Sequence, residues 1–271
     1  MTVGELLAAS TLPVRESRAL LAHAIGAQRE WLIAHPEATV GEEQRLVFIS
    51  LAERRSRGEP MAYLLGTQEF YGRQFMVSPA VLIPRPETEL LVDAALDVLR
   101  GVRAPRILDL GTGSGCVAVT LALERPDADI TASDRSTAAL AVARANAERL
   151  GARVAFIKSD WYTRVAGRFD AVVANPPYVA AGDPHLAALR DEPLTALTDH
   201  DDGLMHLRAI VAGTPAHLHT QGFLLVEHGF DQGAAVRLTF GAARFDDIRT
   251  LRDAAGLDRV CVGRITGNVG T

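Results

Sequence analysis

A chain of 271 residues, 48% apolar and 23% charged, can build a real core for one large domain or for a medium domain with a smaller companion; it is not a disordered chain. A net charge of −5 lacks the global basic bias of a dedicated nucleic-acid binder. Two cysteines, Cys116 and Cys261, make neither a disulfide framework nor a zinc site, so a reducing, cytoplasmic setting and no metal are expected.

Residues 1 to 75 read as helical. Met1 to Val14 carries Glu5 and no basic stretch, so an export signal is not expected. Leu20, Leu21, Ala24 and Ile25 lie in a helix begun by Arg15 and Glu16 and closed by Gly26. A second helix is expected from Gly41 to Arg57, with Leu46, Val47 and Leu51 as its apolar stripe and Gly58-Glu59-Pro60 as its stop. Glu69 to Val77 sets aromatic and β-branched residues around Gly72, a hairpin signal. Ser78-Pro79 and Ile83-Pro84-Arg85-Pro86 are stiff, because each proline fixes φ. A helix then starts near Glu87, with Leu90, Leu91, Ala94, Ala95 and Val98 on its buried face.

From Arg106 onward strands alternate with helices. The strand signals are Ile107–Leu110, Asp129–Ser133, Val154–Ile157, Phe169–Val173, Phe223–Val226 and Arg259–Val262, and Thr137 to Leu150 reads as a helix closed by Gly151. Such alternation implies a mostly parallel sheet with helices on both faces, where ligands bind at the carboxyl ends of the strands. No apolar run reaches the roughly 18 residues of a membrane span, so no membrane insertion is expected.

The chemistry-bearing motifs fall at those strand ends. Asp109-Leu110-Gly111-Thr112-Gly113-Ser114-Gly115 follows the first strand of this region and opens a helix. Glycines there allow a tight turn and close approach to a ligand. Asp134 ends the next strand, where an acidic side chain can meet ribose hydroxyls. A nicotinamide dinucleotide and S-adenosylmethionine both suit this arrangement. The dinucleotide spacing would need glycine where Cys116 stands, and D-x-G-x-G-x-G resembles instead the first motif of class I methyltransferases. Asp160-Trp161 follows the third strand; the carboxylate can accept from an adenine amino group and the indole can pack against the ring.

Asn175-Pro176-Pro177-Tyr178 follows the fourth strand. Alone, Asn-Pro-Pro is an ordinary turn. Beside a methyl-donor site it suits a planar NH2 group, whose two hydrogens can be accepted by the Asn175 side-chain oxygen and the Pro176 carbonyl. The prolines hold the acceptors rigid, and Tyr178 can cover the face of the group.

Asn-Pro-Pro-Tyr is shared by adenine-N6 DNA methyltransferases and glutamine-N5 protein methyltransferases. Several further stretches resemble signatures of the second group, the peptide chain release factor N5-glutamine methyltransferases. They are Glu59-Pro60-Met61-Ala62-Tyr63-Leu64, Pro79 to Glu89, Asp160-Trp161, Glu192-Pro193-Leu194-Thr195-Ala196-Leu197 and Gly222 to Gly229, in order over nearly the whole chain. The resemblance implies an α/β fold, a doubly wound, mostly parallel seven-stranded Rossmann-like sheet, with a small helical N-terminal domain and a linking β-hairpin. The expected division is 1–75 for the substrate-binding helical domain, 76–86 for the hairpin and linker, and 87–271 for the catalytic domain.

The resemblance further implies S-adenosyl-L-methionine as cofactor and methylation of the glutamine in the Gly-Gly-Gln motif of class one release factors. Asp109, Gly111, Thr112, Gly113, Ser114 and Gly115 would serve the cofactor, with Asp134 on its ribose and Asp160 and Trp161 at its adenine. Asn175, Pro176, Pro177 and Tyr178 would hold the glutamine, Asn175 facing the cofactor as well. A cytoplasmic monomer is expected, without direct nucleic-acid or membrane contact. The other reading, an adenine-N6 methyltransferase of DNA or RNA, would need a basic track. The N-terminal residues instead mix Arg15, Arg18, Arg29, Arg54, Arg55 and Arg57 with Glu5, Glu16, Glu30, Glu37, Glu42, Glu43 and Glu53, a solvated mixed surface.

Overall fold

In the computed structural model, which describes residues 1–266, the first helix starts on a capping box. The Thr2 hydroxyl accepts from the Glu5 N–H (3.2 Å) and the Glu5 carboxylate accepts from the Thr2 N–H (2.8 Å), so two otherwise orphaned donors are satisfied. The helix, α1 (Val3–Ala9), is followed by α2 (Val14–Ile25), α3 (Arg29–Ala34), α4 (Glu42–Ser56) and α5 (Met61–Leu65). Their common core holds Val3, Leu6, Leu20, Leu21, Leu32, Phe48, Leu51 and Leu64. The stripe expected on α4 is corrected here: Leu46 and Val47 are exposed, while Phe48 and Leu51 are buried. Residues three apart share a helix face, and the face carrying Phe48 and Leu51 is the one turned to α2. Arg55, one turn further on, gives two N–H groups to the Glu16 carboxylate on α2 (2.8 and 2.9 Å). Both side chains are partly solvated, so this ion pair contributes at most about 1 kcal/mol.

The chain divides into two compact units between Thr67 and Gln68. The hairpin is formed by β1 (Thr67–Phe70) and β2 (Arg73–Met76), on the Glu69–Val77 signal around Gly72, and only Met76 of it falls in the 76–86 hairpin and linker segment of the expected division. Its two-residue turn, Tyr71-Gly72, has positive φ at both positions (53° and 71°), the geometry whose twist matches that of two paired strands. Residues 77–85 then run without regular structure to a short 3₁₀ turn (Pro86–Thr88), which leads directly into α6 (Glu89–Val98).

The remaining elements are β3 (Arg106–Leu110), α7 (Cys116–Glu124), β4 (Asp129–Asp134), α8 (Thr137–Leu150), β5 (Ala155–Lys158), β6 (Phe169–Ala174), α9 (Met205–Gly213), β7 (Leu218–Glu227), α10 (Gly233–Ala242), β8 (Asp246–Arg252) and β9 (Asp258–Arg264). Seven strands form one sheet in the order β5-β4-β3-β6-β7-β9-β8. Strands β3 to β7 are parallel, and β9 runs antiparallel between β7 and β8. This is the doubly wound α/β sheet expected from the sequence. Its central strands are covered on both faces: Ile107 belongs to the core under α6 and α7, Leu108 and Leu110 to the core under α9 and α10. The strand order reverses between β3 and β6, which opens a crevice at their carboxyl ends. Residues 267–271 of the expected catalytic domain lie outside the described residues. Among the described residues, no helix is long and apolar enough to cross a membrane.

Candidate active site

The turn after β3 is fastened to the end of β4. The Gly111 and Thr112 N–H groups both donate to the Ser133 carbonyl (2.9 Å each), and the Gly113 N–H donates to Asp134 Oδ2 (3.0 Å). Two glycines are dictated by their surroundings. At Gly111 (φ 71°) a Cβ would lie 3.3 Å from the Trp161 ring, and at Gly115 (φ 82°) it would lie 3.0 Å from the Cβ of Ala143 on α8. The glycine loop is thus closed from above by Trp161 and from behind by α8. Asn146, fully buried on α8, clamps it further: its Nδ2 donates to the carbonyls of Ser114 and Met76 (2.9 Å each) and its Oδ1 accepts from the Met76 N–H (2.7 Å).

Two carboxyls stand at this loop. Asp134 Oδ1 also accepts from the Ser136 N–H (2.8 Å), while Ser136 caps α8 by accepting from the Ala139 N–H (3.1 Å). Asp109 is buried, with the Thr112 hydroxyl donating to it at 2.6 Å. Burial pushes its pKa up to about 7; the Thr112 hydrogen bond opposes that shift and the charge of Asp134 adds to it. Burial likewise pushes the Cys116 thiol up to about 12, so it packs as a small apolar side chain.

Trp161 adopts a positive φ of 42°, a conformation rare for a bulky residue. The Ser159 hydroxyl holds it there, donating to the Trp161 carbonyl (2.8 Å) and accepting from the Arg164 N–H (2.9 Å). The indole meets His206 at a centroid distance of 5.3 Å. Asp160 is exposed at the rim.

On the other side of the crevice, the Asn175 Nδ2 donates to the Thr88 hydroxyl (3.1 Å), and the Tyr178 hydroxyl donates to Glu227 Oε1 (2.9 Å). The Tyr178 carbonyl accepts from Gln232 Nε2 (2.9 Å). Burial, reinforced by Glu227, raises the Tyr178 phenol far above its usual range, so it stays a donor. Arg85 pairs with Glu192, whose Oε2 also accepts from the Ile83 N–H (3.0 Å). These bonds bring the segment around Glu192 against residues 83–85. Asp199 then caps the start of α9: burial pushes its carboxyl up, but the N–H groups of Asp201, Gly203 and Met205 bring it below the usual range.

These residues surround a cavity of about 320 Å³. Asp109, Gly111, Thr112, Gly113, Ser114, Asp134, Asp160, Trp161, Asn175 and Pro177 all line it. Gly115, Pro176 and Tyr178 do not: Gly115 starts α7, Pro176 is buried in the turn, and Tyr178 packs against the core with its hydroxyl committed to Glu227. Thr88, Arg85 and His206 line it without having been assigned a role from sequence. Thr88 and Arg85 lie in the Pro79–Glu89 signature, which marked their importance but not their contacts. Among the described residues, no group of His, Cys, Asp or Glu side chains is arranged to hold a metal.

Two family profiles match the chain, the PrmC N-terminal domain over residues 3–66 and the methyltransferase small domain over residues 87–191. The release factor glutamine methyltransferase of Burkholderia pseudomallei (strain K96243) is 49% identical, over 98% of this chain and 97% of that one. This chain belongs to the release factor glutamine methyltransferases. The enzyme of that name from Neisseria gonorrhoeae (strain ATCC 700825 / FA 1090) is 50% identical, over 97% of this chain and 98% of its own. A methyltransferase crystal structure from Pyrococcus furiosus shares the fold, with a TM-score of 0.55 at 14% identity over 79% of this chain and 98% of that one. In this chain the glycine loop and the Asn175 turn are two walls of one cavity.

Proposed function

We propose that this chain transfers the methyl group of S-adenosyl-L-methionine to the side-chain amide nitrogen, N5, of the glutamine in the Gly-Gly-Gln motif of class one release factors. The observation that carries the chemistry is the placement of Asn175: it lines the same cavity as the glycine loop, and its Nδ2 is already bound to Thr88, which leaves Oδ1 as the free end of the amide. Family membership supplies the acceptor.

The residues fit the cofactor. A cavity of about 320 Å³ lies within the range of small-molecule sites. Asp134 and Trp161 line this cavity, where the carboxylate would recognise a ribose diol and the indole would pack on an adenine. The glycine turn, where a side chain at Gly111 would crowd Trp161, leaves backbone close to the ligand. When bound, S-adenosylmethionine supplies an electrophilic methyl group on a positively charged sulfur.

The chain's own residues do the positioning. An amide nitrogen is a weak nucleophile because its lone pair is delocalised. Asn175 Oδ1 accepts one of its hydrogens and aims the lone pair; such alignment can lower a barrier by roughly 7–11 kcal/mol in the best cases. Pro176 and Pro177 hold the turn rigid, and the Tyr178 carbonyl, tied to Gln232, fixes where the turn ends. After transfer the methylated nitrogen releases its extra proton to solvent, Asn175 Oδ1 holding the remaining hydrogen. We also infer that the helical unit helps hold the release factor, and that the chain acts as a cytoplasmic monomer without contacting nucleic acid. The mixed charges of that unit support the last point.

The test is incubation with radiolabelled S-adenosylmethionine and either a class one release factor or duplex DNA. Label on the release factor, absent when its Gly-Gly-Gln glutamine is replaced by alanine, is the expected result. Label on DNA alone would overturn the assignment of the acceptor.

A further inference from the structure

Asn175 can present either end of its amide to the acceptor, and only one end serves. With Oδ1 facing the cavity the side chain accepts an N–H; with Nδ2 facing it, donor would meet donor. The backbone does not decide between the two, because a half-turn about the last side-chain bond exchanges them at little cost. What decides must lie behind the side chain.

Behind it lie Thr88 and Glu227. Ala174 and Val226 are register partners on β6 and β7, so Asn175 and Glu227 emerge side by side from the sheet. Helix α6 packs on both strands, and the turn that leads into it delivers Thr88 between them. Thr88 and Glu227 are 2% and 1% exposed, too buried for water to fill either role. Glu227 Oε1 takes the Tyr178 hydrogen, and its Oε2, also buried, has no partner at hydrogen-bond geometry. Burial raises the Glu227 carboxyl above its usual range, while the Thr88 and Tyr178 hydroxyls and the charge of Arg259 oppose that shift; the Thr88 hydroxyl stands beside the carboxyl, short of hydrogen-bond geometry on Oε2.

That hydroxyl has one hydrogen and two neighbours. Asn175 Nδ2 already donates to the Thr88 hydroxyl oxygen, and the buried Oε2 of Glu227, left without a donor, is costly. The hydrogen therefore goes to Glu227, and Thr88 turns its lone pairs to Asn175. A lone pair accepts only from the nitrogen end, as the 3.1 Å contact from Nδ2 shows.

We propose that Thr88 and Glu227 are positioning residues that set the orientation of the Asn175 amide, through one directed chain of hydrogen bonds from Asn175 to Thr88 to Glu227. The chain fixes Oδ1 toward the acceptor before substrate arrives, and the Tyr178 hydroxyl holds the carboxylate from its other side. This inference rests on the reading of Asn175 as the acceptor of the substrate amide.

Glu227→Gln separates this role from a structural one. The new side chain has the same shape and carries an NH2 group where Glu227 has an acceptor oxygen. Its NH2 donates to Thr88, which frees the Thr88 hydrogen for Asn175 and reverses the chain. The melting temperature is expected to hold or rise while kcat falls at least tenfold, with the KM for S-adenosylmethionine unchanged. Thr88→Val is expected to lower kcat similarly, and Thr88→Ser to restore it. A second readout needs no turnover: by NMR, the Asn175 side-chain amide hydrogens, identified by the resonance lost in Asn175→Asp, should exchange slowly in the native protein and quickly in Thr88→Val.

Native kcat in Glu227→Gln, or kcat and melting temperature falling together in both variants, would overturn the proposal. So would fast exchange of the native amide. A native enzyme that methylates no release factor would instead overturn the reading of the acceptor, while the exchange measurement still decides the orientation.

Discussion

Gly203 sits where the segment after the Asn-Pro-Pro-Tyr turn returns beneath it. Its φ is +78°, and a Cβ there would lie 2.3 Å from the Tyr178 carbonyl oxygen and 2.8 Å from Gln232 Nε2. Gly203→Ala therefore incurs two penalties. A left-handed conformation costs an ordinary residue roughly 1–2 kcal/mol. The contact with a fixed backbone oxygen adds an overpacking cost of about 1–3 kcal/mol. In a unit of about 200 residues each kcal/mol lowers the melting temperature by about 2–4 °C, so a loss on the order of 5–15 °C is expected. The nearest relief is for the Tyr178 carbonyl to move off Gln232, which drags Asn175 with it. A displacement of about 1 Å at a reacting centre costs on the order of a hundredfold in rate. Thermal denaturation and turnover should be measured together, with Gly101→Ala as control, because a Cβ at Gly101 meets no atom within 4 Å. A Gly203→Ala protein with native melting temperature and native turnover would refute the reasoning.

Two further predictions concern the glycine loop. Asn146→Ala strips hydrogen bonds from three backbone groups, on Met76 and Ser114, and each buried group left unpaired costs about 1–3 kcal/mol. It should both lower the melting temperature and weaken S-adenosylmethionine binding in a calorimetric titration; unaltered affinity would show that the loop does not depend on this clamp. Asp109 has a carboxyl pushed up from 3.8 to about 7 by burial, so the folded state binds its proton more tightly than the unfolded state does. Stability then falls as pH rises from about 4 to about 7 and is level above that, the whole effect being on the order of a few kcal/mol. Asp109→Asn cannot ionise, so its melting temperature relative to native should improve across that window. A difference independent of pH would contradict the assignment.

The central strands were legible because both of their faces are buried. Ile107 to Leu110 reads as a short apolar run and Phe169 to Val173 as a strand. Strand β8 was not: Asp246-Asp247-Ile248-Arg249-Thr250-Leu251-Arg252 is an edge, and its charges mask the alternation of its half-buried side chains. The short helices α1, α3 and α5 were equally hidden, since Leu32 is the one buried residue of α3 and a capping box rather than a stripe starts α1. At the site, the glycine loop, Asp134 and Asn175 could be found by spacing along the chain. The contacts that orient them could not. Asn175 meets Thr88 across 87 positions, and Met76 meets Asn146 across 70, so only the fold brings these pairs together. Glu192 and Glu227 lay within conspicuous stretches of sequence, but nothing local to either indicated Arg85 or Tyr178 as a partner.

The central claim is that Asn175 presents a glutamine amide for methylation, and peptide mapping tests it most directly. A class one release factor is incubated with S-adenosylmethionine and either the native chain or Asn175→Ala, then digested, and the peptide bearing the Gly-Gly-Gln motif is sequenced by mass spectrometry. The account predicts a single methyl group on the glutamine side chain with the native chain and an unmodified peptide with the variant, which should still bind S-adenosylmethionine. Equal methylation by the variant, or a methyl group on any other residue of that peptide, would contradict it.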